Sequence, residues 1–247
     1  AQPKQAVQLA DGSSSFDGTD DYISIGTNVS GLELLTFSIT GWVNVTSTAD
    51  DKVIFYNGDL TANRSGWGVI VKQSDDGSNP HKLYIETAND TTPTKVYGNA
   101  VNYNTWEHFG ITFDNTDQTV KIYQNGDLTA SDTGTLDTPS FTGDNFVRIG
   151  SIQQSSDNGN VAYFNGSIAN VSIHSSALTQ SQVQELMFTE KYAGLSADLK
   201  TNLVSWYDLG DRTLGSEQIN NTDFADLTGW TFHRCSSSVS GGELTIT

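Results

Sequence analysis

A single cysteine, Cys235, stands in 247 residues, so no disulfide can close within the chain and the fold must rest on packing. Basic residues are scarce as well: 12 Lys and Arg stand against 29 Asp and Glu, for a formal net charge of -17. That deficit argues against duplex DNA, RNA and anionic membrane surfaces as partners, because Lys and Arg that neutralise phosphates supply most of such affinity. Only 17% of residues are charged, so the imbalance comes from missing bases rather than from an excess of acids. No apolar run is long enough to cross a bilayer, and membrane insertion is not expected. Helical periodicity is also missing from most of the chain, which argues against an open parallel α/β sheet, whose crossovers need helices. The acidic, self-repelling composition suits an extracellular or virion-surface setting.

What the chain does have is alternation. From Tyr22 to about Ile173, short segments put apolar residues at every second position, the pattern of strands. In Phe37–Val45 the residues Phe37, Ile39, Val43 and Val45 share one face and Ser38, Thr40 and Trp42 the other, which predicts a half-buried strand. Val53–Tyr56, Gly68–Val71, Lys82–Ile85, Phe109–Phe113, Thr119–Tyr123 and Phe146–Ile149 repeat the theme. Turn chemistry separates them: Asn57-Gly58-Asp59, Asp75-Asp76-Gly77, Asn115-Thr116-Asp117 and Asn125-Gly126-Asp127. Asn125-Gly126 is a hairpin signal, since a type I′ turn needs positive φ at both central residues. Many short strands with close turns predict an all-β fold, two antiparallel sheets packed face to face. One helix is predicted, from Gln180 to about Lys191, with Thr179 and Gln182 forming a capping box.

Five of these segments, taken in order, carry a resemblance. They are Ser15-Phe16-Asp17-Gly18-Thr19-Asp20-Asp21-Tyr22-Ile23-Ser24-Ile25, Phe37–Val43, Trp106–Asp114, Val120–Gly126, and Phe164–Ile173 followed by Ala177-Leu178. The series resembles the laminin-G-like members of the concanavalin A-like lectin and glucanase superfamily, over roughly residues 6 to 192. The resemblance implies a jelly-roll sandwich over 1–193, closed by one short C-terminal helix, with 194–247 left as a β-rich tail. Within the tail, residues 219–230 resemble the opening of a second, incomplete jelly-roll module. The resemblance further implies a structural calcium site built from the acidic turn Asp17, Asp20, Asp21 and the start of the last strand, where Asn170 stands in place of the Asp of many relatives. Calcium takes six to eight oxygens, and such a turn supplies part of that shell; the competing role for these carboxylates is to shape the turn.

Trp42 and Trp106 occupy positions that the resemblance assigns to packing, which leaves Tyr56, Tyr97, Tyr103 and Tyr163 as the aromatic candidates for ligand contact. No catalytic residues are expected. Glycosidases need paired carboxyls across a cleft, whereas Glu33, Glu86 and Glu107 each stand alone. The expected role is therefore a non-catalytic binding or decorating module of a larger surface assembly, a phage virion or fibre protein that adheres to a glycan or a surface protein. The alternative is a carbohydrate-binding module of a secreted polysaccharide-degrading enzyme. The tail is too short for a complete sandwich, so Leu203, Trp206, Leu209, Phe224, Trp230 and Leu244 are expected to pack on the first module or on a neighbouring subunit, the latter giving a homo-oligomer.

Overall fold

The computed structural model describes residues 12–46, 50–59, 65–72, 77, 79–89, 93–141, 143–154, 159–189, 192–209, 237–240 and 243–246. In chain order the strands are β1 (Ser14–Asp17), β2 (Ile23–Thr27), β3 (Phe37–Val45), β4 (Lys52–Asp59), β5 (Ser65–Val71), β6 (Lys82–Asn89), β7 (Thr94–Ala100), β8 (Trp106–Asp114), β9 (Thr119–Gln124), β10 (Asp127–Thr133), β11 (Phe146–Ile149), β12 (Ile152–Gln154), β13 (Gly159–Val161) and β14 (Asn165–His174). Helix α1 (Gln180–Phe188), a 3-10 turn at Tyr192–Gly194, helix α2 (Ala197–Thr201) and β15 (Leu203–Tyr207) follow. Two antiparallel sheets result. One runs β1-β14-β3-β8-β9-β10 with β15 also on β14, and the other runs β2-β11-β4-β5-β6-β7. This is the all-β sandwich of two antiparallel sheets that the alternation predicts, in the jelly-roll form that the resemblance implies.

Inward-facing residues of both sheets form one core. Phe37 from β3 stacks on Trp67 from β5 at 4.1 Å between ring centroids, and Phe55 from β4 stacks on the same indole at 5.0 Å. Burial of three such side chains contributes about 1.5–3 kcal/mol each before the cost of ordering them. Asn125 and Gly126 join β9 to β10 with φ of 52° and 79°, the positive values that a type I′ hairpin needs.

Strand β3 departs from the half-buried expectation, because both of its faces are covered. Helix α1 and the segment before it lie over the outer face. Ser38 donates to the Ser176 carbonyl at 2.6 Å and accepts from the Leu178 amide at 2.9 Å, while Trp42 packs with Met187 of α1. Burying this polar face is tolerable because its hydroxyls have partners. The capping box forms as expected: Thr179 Oγ1 accepts from the Gln182 amide, and Gln182 Oε1 accepts from the Thr179 amide. The helix closes at Phe188, three residues before its expected end, and α2 was not expected. Asn57-Gly58-Asp59 is not a turn but the end of β4, where Asn57 Nδ2 donates to the Leu32 carbonyl at 2.6 Å.

The first compact unit extends to Asp211, past the boundary drawn at residue 193. The reason is a shared edge. β1 covers β14 only from Asn165 to Ile168, and β15 takes the same edge from Val171 to His174, end to end with β1. Leu195 and Leu199 are buried in a cluster with Leu178, Val183 and Leu186, against which Leu203 and Trp206 pack, and Leu209 packs on the main core. Arg212–Thr247 is a separate unit, described by its hairpin of β16 (Ser237–Ser240) and β17 (Glu243–Ile246). Phe224, Trp230 and the side chain of Leu244 lie outside the described residues.

Candidate ligand-binding site

Register brings outward-facing residues of the six-stranded sheet into rows. Arg148 pairs with Tyr56, Tyr56 with Gly68, Gly68 with Glu86, and Glu86 with Lys95. The neighbouring row holds Val53, Ile70, Tyr84 and Tyr97. The Tyr56 ring lies on the backbone of Gly68, where a Cβ would collide with it. Around these rings the charges are matched: Lys95 pairs with Glu86 at 3.3 Å, and Lys72 with Asp51 at 3.2 Å. Tyr84 donates to Asp51 Oδ2 at 3.1 Å, and burial, reinforced by Glu86 and Asp51, holds its phenol far above the ordinary value, so it remains a donor.

Most of this face is roofed. Ile152 of β12 and Ala162, just past β13, pack with Val53, Tyr56, Ile70 and Tyr84, and the Val53 amide donates to the Ala162 carbonyl at 3.4 Å. Tyr56 is therefore buried rather than presented to a ligand. Tyr97 is half-buried beside Tyr84, their ring centroids 5.1 Å apart. Tyr103 lies elsewhere, edge-on to His81 with its hydroxyl hydrogen-bonded to His81 Nδ1. Tyr163 is half-buried, as Tyr97 and Tyr103 are, and stands just before β14.

β2, which follows the acidic turn, is the edge strand of this sheet and pairs with β11. Tyr22, 41% exposed, sets its ring 4.2 Å from the Arg148 guanidinium carbon, and the Phe146 ring is 6.0 Å away on the same strand as the arginine. Burial lowers the Arg148 pKa, while Tyr22 and Tyr163 act on it in the opposite direction, which places both phenols in its surroundings. Phe16 and Phe164 meet edge to face at 5.9 Å, and Asp17 pairs with Asn165, fixing the stretches that carry Asp17 and Tyr163 side by side. Neither Tyr22 nor Arg148 was singled out from the sequence.

The acidic turn is compact. One carboxylate oxygen from each of Asp17, Asp20 and Asp21 lies within 4.8 Å of the others, and all three residues are exposed. Asp17 Oδ1 accepts from the Thr19 amide at 2.7 Å, and Asp21 Oδ2 accepts from the Asp17 amide at 2.9 Å, so two of the three also shape the turn. Asn170 does not join them. It sits five residues along β14 from Asn165, roughly 16 Å at strand rise, at the irregularity between Ala169 and Ser172. Its φ is 48°, its amide donates to the Asp208 carbonyl, and its buried side chain has no hydrogen-bond partner. The residue that does face the turn is Asn165, whose Nδ2 would lie 2.8 Å from a Cβ at Gly18.

Glu107 is buried on β8, where its Oε1 accepts from the amide and side chain of Asn102 and burial raises its pKa. Among the described residues, no helix is long and apolar enough to cross a membrane.

A laminin G model described as the concanavalin A-like lectin/glucanases superfamily matches residues 17–184, more than half of the chain. The chain belongs to this superfamily. The match ends within α1, before α2 and β15. Among solved structures, a protein from Bacteroides ovatus described provisionally as carbohydrate binding aligns at a TM-score of 0.57 and 19% identity, over 80% of this chain and 52% of its own. The present chain thus spans about half the length of that protein. The CBM40 of the Ruminococcus gnavus IT-sialidase aligns at 0.58 and 14% identity, over 73% of this chain and 97% of its own. Domain 4 of AbnA, an extracellular arabinanase from Geobacillus stearothermophilus solved with arabinotriose, aligns at 0.51 and 22% identity, over 71% and 76%. At these identities the likeness is one of fold. No curated protein matches the chain in sequence.

Proposed function

We propose that the chain is a non-catalytic carbohydrate-binding module of a larger extracellular protein, with its glycan contacts at the Tyr22–Tyr163 edge. The observation that carries this reading is the exposed Tyr22 ring held over Arg148 at the β2 edge of this sheet, with Phe146 beside it and the half-buried Tyr163 on the neighbouring stretch before β14. An aromatic ring held over a fixed cation gives a sugar a flat apolar surface, with the phenol hydroxyl as a donor at its border. Neighbours in fold support the same class: the Ruminococcus module has been solved with α2,3 and α2,6 sialyllactose, and the arabinanase domain with arabinotriose. They favour a module of a secreted polysaccharide-degrading enzyme over a virion or fibre protein, and lend no support to the virion setting. On a glycan array, the protein is expected to bind, with Tyr163→Ala weakening binding about tenfold at unchanged melting temperature. A blank array with folded protein would sink the reading.

The acidic turn is proposed to take calcium as a clasp between β1 and β14, with Asp17, Asp20 and Asp21 as the carboxylate donors and without Asn170. Calcium that binds only the folded state stabilises it by mass action, by about 2.7 kcal/mol at a hundredfold excess over Kd. Calcium is expected to raise the melting temperature of the wild type and leave that of Asp20→Asn nearly unmoved. Equal melting in calcium and in chelator would reduce the cluster to a turn.

A further inference from the structure

We infer that the Tyr22–Tyr163 edge selects neutral glycans and rejects glycans that carry carboxylates or sulfates. This rests on the glycan-binding reading above and narrows its substrate class. Three observations converge on it. First, the three exposed carboxylates of the turn lie within the five residues before Tyr22, so a negative sugar docking on that ring meets a net negative field, which a calcium ion in the turn would reduce but not reverse. At distances within a Debye length, about 8–10 Å in ordinary buffers, this repulsion is only partly screened.

Second, the cations of the face have partners among the described residues, Lys82 through Asn79 Oδ1 at 3.2 Å. Lys72 pairs with Asp51, Lys95 with Glu86, and Arg148 is 8% exposed beneath the Tyr22 ring. A carboxylate is recognised best by a guanidinium that presents two parallel N–H groups in an open fork. Arg148 instead offers its charge to aromatic faces, and the Tyr22 ring would have to leave before a sugar acid could reach it. In this position the arginine serves to orient Tyr22. Third, the net charge of -17 lowers the local concentration of any polyanion around the whole molecule, the reverse of electrostatic steering.

Affinity electrophoresis of the full chain separates these ideas. The gels would contain neutral polymers (arabinan, xylan, galactan, mixed-linkage β-glucan) or acidic ones (polygalacturonate, alginate, hyaluronate), each at low and high salt and with either calcium or chelator. Retention is expected on at least one neutral polymer, with little change between low and high salt. Tyr22→Ala should weaken it about tenfold while Tyr22→Phe, which keeps the ring, stays near wild type. Retention on an acidic polymer under any of these conditions overturns the neutral preference and leaves the glycan-binding reading standing. Retention on none of them overturns both. Neutral retention that is indifferent to Tyr22→Ala overturns the placement of the selecting edge.

Discussion

Ending the chain at residue 193 rather than at Asp211 is expected to lower unfolding stability by on the order of 5 kcal/mol, a large share of the 5–15 kcal/mol that holds an ordinary domain. The loss has three sources. Leu195 and Leu199, both buried against Leu178, Val183 and Leu186, would leave a cavity worth about 2 kcal/mol for each side chain. Strand β15 would leave the Val171–His174 edge of β14 unpaired, and the Asn170 and Ser175 amides would lose the carbonyls of Asp208 and Asn202, at 2.9 and 2.8 Å. A freshly exposed strand edge also invites pairing with a second chain. Urea denaturation of chains 1–193 and 1–211 measures the difference, and light scattering reports whether the shorter one self-associates. Coincident midpoints would mean that β15 is an ornament on a sandwich already complete at α1.

This edge shows what alternation in the sequence could and could not reveal. Phe37–Val45, Phe109–Phe113 and Thr119–Tyr123 are strands because period-two patterning is local, and Asn125-Gly126 is a hairpin because its φ requirement is local. The capping box at Thr179 and Gln182 is local too. Leu203–Tyr207 is equally apolar, yet its partner is set by a gap on β14 that exists only because β1 is four residues long. No pattern within residues 203–207 encodes that gap. For the same reason β3 read as half-buried: its Ser38 and Thr40 are polar but satisfied beneath an element 140 residues later in the chain, as the Ser38–Leu178 bond records.

The site was legible only in part. The acidic turn announces itself in five consecutive residues, but Asn170 was placed with it on a motif position, and the pairing of Asp17 with Asn165 puts a different asparagine there. Arg148 stands in an unremarkable Phe-Val-Arg-Ile strand, and its importance comes from the order β2-β11-β4, which sets a strand near residue 148 beside one near residue 24. Tyr84 and Tyr56 face the same side from strands that touch neither each other nor the turn. Among the tyrosines, sequence could rank residue type but not the roof of Ile152 and Ala162 that buries Tyr56.

Acid is expected to destabilise the fold between about pH 6.5 and pH 4, even though the chain approaches its isoelectric point, near 4.2, over that range. The cause is a pair of histidines buried on the outer face of the seven-stranded sheet. His108 lies 5.3 Å from the Trp42 ring, its amide donates to Asn125 Oδ1, and burial depresses its pKa to about 3. His174 shares a hydrogen bond of 3.2 Å with Ser172, which in turn shares one of 2.9 Å with Thr40; burial depresses its pKa to about 4 against the opposing effect of a bond to the Leu199 backbone. In the unfolded chain both take up protons near pH 6.5. Below that value the unfolded state binds more protons than the folded one, so the stability present at neutral pH is lost as pH falls toward the folded pKa values. At pH 4.5 each histidine forfeits about 2–3 kcal/mol, together on the order of 5 kcal/mol. Glu107 works the other way, since its raised pKa favours the folded state at low pH, and the relief of net negative charge has the same sign. The variant isolates the histidine from those opposing terms. If His174→Gln flattens the fall in stability between pH 6.5 and 4.5 by close to one proton relative to the wild type, the buried histidine contributes to acid sensitivity. Identical slopes in the wild type and His174→Gln would mean that His174 titrates near its ordinary value inside the folded protein.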